Sequence, residues 1–237
     1  MSYLDNILFA IILVIGGGYF ASNVKKLIRN IKLGQDIDRK DNASARWKNM
    51  AMIALGQSKM IKRPIAGVLH IIVYVGFIII NIEVLEIIID GLFGTHRVFS
   101  KFLGGIYGVL IGSFEILALL VLVAVVVFWI RRNVVKLKRF MNPEMKGYAT
   151  NDGNIILYFE MVLMSLFLIM NATDIHFQAM NSGNVISQFL TPMFSSFSEG
   201  TLHIIERAAW WIHICGILVF LNYLYFSKHL HILLAFP

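Results

Sequence analysis

The sequence has little of what a soluble, disulfide-bonded or metal-cluster protein needs. Its 237 residues include one cysteine, four prolines and only 15% charged side chains. The lone Cys215 excludes an iron–sulfur cluster or an internal disulfide built from this chain alone. Apolar residues are abundant instead: 58% of the chain is hydrophobic and the mean hydropathy is +0.73. This composition is typical of polytopic membrane proteins and not of soluble domains.

Five long hydrophobic segments occupy most of the chain, at residues 4–24, 65–93, 103–130, 154–179 and 203–226. Each is long enough to cross about 30 Å of hydrocarbon as an α-helix. The fifth is expected to continue as a helix toward residue 234. We therefore predict an all-α fold, a polytopic membrane bundle of five transmembrane helices that forms one domain over residues 1–237. The first segment has no basic region before it and no small-residue cleavage site, so we expect a retained helix and not a signal peptide.

Positive charge is distributed unevenly between the two sides of this predicted bundle. Eighteen Lys and Arg residues lie in segments 25–63 and 131–146 or at Lys228, whereas the other side holds Arg97, Lys101 and Arg207. The positive-inside rule then places the N-terminus outside and the C-terminus in the cytoplasm. Because the net charge of +7 flanks membrane spans, no nucleic-acid partner is expected.

Three other segments carry expectations about packing. The glycines Gly16, Gly17 and Gly18, and the ridge Gly104, Gly108 and Gly112, are expected to let helices approach one another closely. The apolar QFLTPMF within residues 181–200 is too short to span, and we expect a surface lid. The charged stretch 30–62 is expected to be a partly helical, solvated element; the alternative is a docking surface for a soluble redox partner.

Histidines in the last segment give the strongest indication of function. His213 and His231 are eighteen residues apart, which is five turns of a helix, so both rings would lie on one face about 27 Å apart. Ionisable side chains in an apolar span are costly and usually functional, and neutral imidazole is a good ligand for haem iron. Two such ligands, one near each membrane surface, predict electron transfer across the bilayer.

Each haem in a helical bundle needs a second ligand at the same depth on another helix. The second span runs opposite to the fifth, so His70 near its start matches the depth of His231 or His229. His229 is rotated from the shared face by about 200°. We therefore predict that His70 pairs with His231.

The partner of His213 is less clear from the sequence. It should lie about ten residues beyond His70, but that stretch reads FIIINIEVLE and has no histidine. His96, in the GTHR turn after the second span, is the candidate that could fold back. His176 and His203 are weaker candidates because they lie nearer the outer surface.

A quinone site needs a pocket with a hydrogen-bond donor or an acid for each carbonyl. On the outer side of the bundle the candidates are Glu83, Glu86, His96, Arg97 and Glu206; on the inner side they are Lys228, His229 and Arg63. The Arg and Lys residues suit haem propionates or lipid headgroups equally well. The sequence leaves the side of this site open.

Several motifs carry a resemblance to known families. The run FLNYLYFSKHLHI, preceded by WWIH, resembles the last helix of the gamma subunit of respiratory nitrate reductase, a membrane dihaem cytochrome b. The RPIAGVLH, FGTHR, NPEMKGY, ERAAWWIH and YFSKHLHILLAFP segments resemble still more closely the membrane domain fused to cysteine-rich iron–sulfur modules in electron transfer flavoprotein:menaquinone oxidoreductases and heterodisulfide-reductase-like proteins. The likeness extends over nearly the whole chain.

The resemblance implies one or two haem b groups, with His70 and His231 as one ligand pair and His213 as a ligand of the other. Ile80 stands where the nitrate reductase family has the fourth ligand. It also implies menaquinone as substrate, electron transfer flavoprotein as a partner, and the bacterial inner (cytoplasmic) membrane as location. A cytoplasmic iron–sulfur module is expected after Pro237 in a longer protein.

From the residues and the resemblance we expect a b-type cytochrome membrane domain that transfers electrons between a cytoplasmic iron–sulfur module and membrane quinone. It would be an electron-transfer subunit and not a whole enzyme. The alternative is a haem-free membrane anchor or transporter, in which Glu83, Glu115, Glu160 and Asp174 form a proton or solute path.

Overall fold

The structure is a computed structural model that describes residues 3–35, 38 and 41–235. Regular structure in this part of the chain is entirely helical. The α-helices are α1 (Tyr3–Ile31), α2 (Ala43–Met50), α3 (Pro64–Phe93), α4 (Val98–Leu103), α5 (Gly105–Asn133), α6 (Tyr148–Thr173), α7 (Ile175–Ala179), α8 (Glu199–Leu224) and α9 (His231–Leu234). Helices α1, α3, α5, α6 and α8 are each long and apolar enough to cross a membrane. The predicted all-α polytopic bundle is therefore confirmed.

The five long helices form a ring. Helix α1 packs on α3 and α8, α3 packs on α5, α5 on α6, and α6 on α8. Helices α3 and α8 thus face each other with α1 on one side and the α5–α6 pair on the other. Aromatic side chains fill much of the core, including Phe9, Tyr107, Phe114, Phe167 and Trp210.

The bundle has two chemically different ends. The basic end contains the C-termini of α1, α5 and α8, the start of α3 and most of the Lys and Arg residues. The acidic end contains α4, α7 and the segment that leads to α8. Which end faces the cytoplasm stays a prediction from the charge distribution. The charged stretch 30–62 is partly helical, as expected, because α2 and a π-helical turn at Ala51–Leu55 lie within it.

The fourth span has the predicted length but begins and ends six residues earlier than the sequence predicted. Helix α6 ends at Thr173 because Asp174 adopts an extended conformation and its side chain accepts a hydrogen bond from the Phe177 amide at 3.0 Å. This bond caps the separate helix α7. His176 therefore lies on a short helix at the acidic end and not on the fourth span.

The fifth helix also ends earlier than predicted. Helix α8 stops at Leu224, and Ser227 is extended and caps the following turn through the His229 amide at 2.9 Å. The buried carboxylate of Asp152 accepts hydrogen bonds from Tyr223 Oη at 2.6 Å and from the Lys228 amide at 3.1 Å. These bonds keep the residues after Leu224 from continuing helix α8. The expectation that one continuous helix carries His213 and His231 on a shared face, extending toward residue 234, was wrong. Pro237 lies outside the described residues.

The glycines meet different neighbours than expected. A Cβ atom added at Gly16 would lie 3.5 Å from Leu218 of α8, which confirms helix packing at that position. A Cβ atom at Gly108 would instead overlap Ser182, and one at Gly112 would lie 3.1 Å from Val185. The predicted helix–helix ridge on α5 was therefore wrong, because a glycine face here accommodates the segment after α7.

The segment between α7 and α8 lies at the acidic end and is held to the bundle by a side chain of α5. It forms two short 3-10 turns at Ser187–Phe189 and Thr191–Phe194. The carboxylate of Glu115 accepts hydrogen bonds from the amides of Ile186 at 2.7 Å and Ser187 at 3.0 Å. A buried acid in α5 thus caps a surface turn.

Candidate functional site

The acidic end is organised around a buried ion pair. Arg97 Nε donates to Asp174 Oδ2 at 2.8 Å, and its Nη2 donates to Asn171 Oδ1 at 2.9 Å. The guanidinium also stacks over the Phe177 ring at 4.0 Å from its centroid. Burial opposes the charge on Arg97, but Asp174 and Tyr107 outweigh it and raise its pKa. Burial acts to raise the pKa of Asp174, yet His96 and Arg97 hold that pKa below its usual range.

Two acids one turn apart on α3 hold the turn that carries Arg97. Asp90 accepts hydrogen bonds from Thr95 Oγ1 at 2.5 Å and from the Arg97 amide at 2.6 Å. Glu86 accepts from the Phe99 amide at 2.8 Å and from Tyr107 Oη at 3.0 Å. Arg97 has a left-handed backbone, with φ of 49°, and the bonds to Asp90 hold the chain in this uncommon conformation.

Two adjoining cavities lie beside this network. The smaller has a volume of about 30 Å³ and the larger of about 1010 Å³. Thr95, His96, Asp174, Glu206 and Arg207 line both. Glu83, Glu86 and Arg97 line only the smaller one, whereas His176, His203 and Trp211 line only the larger one.

Three histidines face this region. His96 Nε2 lies 3.1 Å from Asp174 Oδ2, and its side chain is 44% exposed. The His96 and His176 rings meet edge to face, with centroids 6.2 Å apart. His203 Nδ1 lies 3.7 Å from Glu206 Oε2, and the same carboxylate accepts hydrogen bonds from Arg207. The acidic end therefore combines imidazoles, carboxylates and an accessible cavity.

A second group of histidines lies at the basic end. The His229 and His231 rings are 5.5 Å apart, and His231 Nδ1 lies 3.0 Å from the Lys228 carbonyl oxygen. The pKa of His229 is lowered to about 4, mainly by burial and also by the charges of His231, His70 and Lys228, while Asp152 opposes the lowering. His70 thus lies close enough to affect this group. The Nδ1 atom of His70 is buried and has no hydrogen-bond partner in the described part of the chain.

His213 is isolated from both groups. It is 1% exposed, and its ring lies 6.3 Å from that of Phe167. Its Nδ1 is 3.0 Å from the Leu163 carbonyl oxygen, whereas Nε2 is buried and unpartnered among the described residues. A carbonyl oxygen can only accept, so Nδ1 carries the proton and Nε2 presents a lone pair.

The structure brings some of the predicted site residues together and leaves others apart. It brings His70 and His231 to one end of the bundle, and it brings all five outer quinone candidates to the wall of the smaller cavity. It does not bring His96 to His213: His96 lies beside Glu206, which is seven residues, or about 10.5 Å of helix rise, from His213. Ile80 is buried.

Of the inner candidates, Lys228 is engaged with the backbone, since its Nζ donates to the Ala149 carbonyl at 3.0 Å. Burial lowers the pKa of Lys228, and the charge of Arg132 lowers it further. Arg63 is the residue before α3.

Sequence reasoning missed several residues of the acidic end. The roles of Asp90, Asn171, Tyr107 and Glu115 were not foreseen. The i, i+4 spacing of Glu86 and Asp90 could have indicated a common face of α3. Glu115 was noted as an acid within an apolar span, but its partners, like those of Asn171 and Tyr107, lie on other elements and leave no local signal.

Comparison with known proteins gives one informative match. The chain is 30% identical over 233 residues to the probable iron-sulfur-binding oxidoreductase FadF of Bacillus subtilis (strain 168). The match covers 96% of this chain and 31% of the relative, so the chain spans about a third of the length of the curated protein it matches. No family model and no solved structure matches the chain. Over nearly its whole length, the chain is thus similar to part of a probable iron–sulfur-binding oxidoreductase.

Proposed function

We propose that this chain is a b-type cytochrome membrane domain that transfers electrons between an iron–sulfur module and membrane quinone. The similarity to an iron–sulfur-binding oxidoreductase supports an electron-transfer role. With one cysteine the chain cannot hold a cluster, so the cluster would belong to a partner domain or subunit. The proposal includes menaquinone as substrate, electron transfer flavoprotein as donor, and the bacterial inner membrane as location, which follow from the family resemblance.

The environment of His213 carries the proposal. Buried polar atoms without a partner are rare, yet Nε2 of this fully buried ring has none among the described residues. Histidines that ligate metals typically donate the other ring N–H to a backbone carbonyl or a carboxylate, which fixes the tautomer. The Nδ1 contact with the Leu163 carbonyl is of this kind. The ring therefore fits an axial ligand of haem iron.

His70 and His231 fit a second haem at the basic end. His231 Nδ1 contacts the Lys228 carbonyl, so its Nε2 presents a lone pair as in His213. The Nδ1 atom of His70 lacks a partner in the described residues, and either ring nitrogen of a histidine can ligate a metal. A bound haem supplies one-electron redox chemistry, and the protein contributes the ligands and the apolar surroundings that set its potential.

The larger cavity at the acidic end is our candidate site for the quinone headgroup. Its volume of about 1010 Å³ is at the upper limit of ordinary small-molecule pockets, which hold about 300–1,000 Å³. His176, His203 and Arg207 line this cavity and can donate hydrogen bonds to quinone carbonyls. Arg97 and Glu86 are engaged in the surrounding network, so we assign them a supporting role.

The structure weakens the anchor or transporter alternative. Such a path would use Glu83, Glu115, Glu160 and Asp174. Glu115 is occupied by two backbone amides and Asp174 by Arg97 and the Phe177 amide. Two of the four acids thus have structural partners, which leaves no continuous series of free carboxylates.

Haem content measured by a pyridine haemochrome assay on the purified chain tests the proposal. We expect one or two haem b groups per chain, and one fewer in His213→Ala. The control is Glu144→Gln, an exposed residue outside both histidine groups, which we expect to keep its haem. A folded wild-type chain without haem would overturn the proposal in favour of the anchor. A His213→Ala variant with full haem content would overturn the ligand assignment.

A further inference from the structure

Three potential metal ligands from distant parts of the chain meet at the acidic end. His96 follows α3, Asp174 follows α6, and Glu206 lies on α8. One ligand atom from each lies within 4.8 Å of the other two. We propose that these three side chains bind one divalent transition-metal cation, separate from any haem iron.

The charge around the smaller cavity favours a cation. Five carboxylates and two guanidinium groups line it, so ionised side chains leave an excess of negative charge there. The cavity volume of about 30 Å³ exceeds the roughly 10–15 Å³ that one water molecule needs, so there is room for an ion with a bound water. Buried negative charge is costly unless it is paired or coordinates a metal.

An unpartnered carboxylate oxygen points to the same place. Glu83 is 2% exposed and lines the smaller cavity with His96, Asp174 and Glu206. Its Oε2 is buried and has no hydrogen-bond partner in the described residues. A cation in the cavity would give this oxygen a partner, directly or through a bound water.

The two arginines nearby leave room for the ion. Arg97 is fixed by Asn171 and Tyr107 as well as by Asp174, and an ionised carboxylate can accept about four contacts. Arg207 is the competitor for Glu206, but its side chain is 23% exposed and lines the larger cavity, into which it can move. Metal binding would replace the direct contact between His96 Nε2 and Asp174 Oδ2, which lie 3.1 Å apart.

The ligand set selects the class of ion. One imidazole nitrogen and two carboxylates suit Zn²⁺, Mn²⁺ or Fe²⁺, whereas Ca²⁺ and Mg²⁺ prefer oxygen ligands alone. Three protein ligands leave a coordination position open for water. The larger cavity gives an entry route lined by the imidazoles of His176 and His203.

Co²⁺ is the probe for this site because its visible absorption reports coordination. The chelator-treated 237-residue chain in detergent is dialysed against Co²⁺. Bound metal and the absorption spectrum are measured for wild type, His96→Ala and Glu206→Gln. The matched control is Glu144→Gln, an exposed residue at the basic end. We expect one Co²⁺ equivalent that Zn²⁺ displaces, a loss of affinity of about 10–100-fold or more in the two variants, and no change in the control.

Two results would overturn the site: wild type that binds no more Co²⁺ than Glu206→Gln, or His96→Ala with undiminished affinity. If Glu206→Gln does not fold, His96→Ala still decides, because its partly exposed ring can be removed with little cost. Haem content is measured on the same samples. Unchanged haem with lost Co²⁺ binding identifies a separate metal site, and this result stands whether or not the haem proposal holds.

Discussion

The carboxylate of Glu115 accepts a hydrogen bond at 3.0 Å from the amide of Ser187, which lies 72 residues later in the chain. The acid is 0% exposed, and the neighbouring Ile186 amide binds the same oxygen. An acidic residue within an apolar span therefore serves as the anchor of a surface segment. This arrangement explains why a costly group is tolerated there.

We expect Glu115→Ala to release the segment that contains Ser187. The substitution leaves two backbone amides and the Asn171 side chain without an acceptor, at about 1–3 kcal/mol for each buried group. Limited proteolysis between residues 181 and 198 should become clearly faster, and the unfolding temperature should fall. Glu144→Ala, an exposed acid, is the control. Equal cleavage rates in the two variants would contradict the anchoring role.

Asp174→Asn should be among the most destabilising single changes at the acidic end. It leaves the Arg97 charge buried without its counter-ion, which costs about 3–5 kcal/mol when a buried pair is broken. Thermal unfolding in detergent, with chelator present to remove any bound cation, measures the change. Glu199→Gln, an exposed acid at the same end, should change stability by less than about 0.5 kcal/mol. Similar unfolding temperatures for both variants would argue against a buried pair.

Gly108→Ala is expected to displace the segment after α7. A Cβ atom at this position would overlap the side chain of Ser182, so the backbone must shift. Gly17→Ala is the matched control, because a Cβ there meets nothing within 4 Å. Protease sensitivity of residues 181–198 should rise for Gly108→Ala only. The packing of this segment on α5 would be refuted by two equally resistant variants.

Asp152→Ala should destabilise the turn that follows the end of α8. It removes the acceptor of both Tyr223 Oη and the Lys228 amide, whereas Tyr223→Phe removes one bond only. We expect unfolding free energies to fall by about 1 kcal/mol for Tyr223→Phe and by roughly twice that or more for Asp152→Ala. Chemical unfolding followed by tryptophan fluorescence measures the series. Under the proposed function, haem at the basic end should also be lost more easily from Asp152→Ala.

The fold was largely predictable because its signals are local. Five apolar runs gave five spans, and Pro64 marks the start of α3 as the sequence indicated. The end of α6 was misplaced because the apolar sequence continues on both sides of Asp174. Only the contacts of Asp174 with Phe177 and Arg97 show that the helix ends there. The end of α8 was also misplaced, because the residue that fixes it, Asp152, lies on α6 and accepts a hydrogen bond from the Lys228 amide.

The sequence indicated which residues share an end of the bundle but not how they are arranged. Depth along the spans placed His70 at the same end as His231, and the outer acids and Arg97, chosen because a quinone carbonyl needs a donor or an acid, line one cavity. Their partners could not be read from spacing. His96 was the candidate that could fold back to His213, and it lies beside Asp174 and Glu206 instead.

By itself the sequence determined the class of the molecule, because the length and polarity of each segment decide whether it can form a spanning helix. The tertiary structure alone decided what each buried polar group does. Arg97 and Asp174 are 77 residues apart, and Asn171 and Glu115 are 56 apart, yet each pair is bonded. A buried charge must find its partner wherever the packed helices bring one, and that position is a property of the whole bundle.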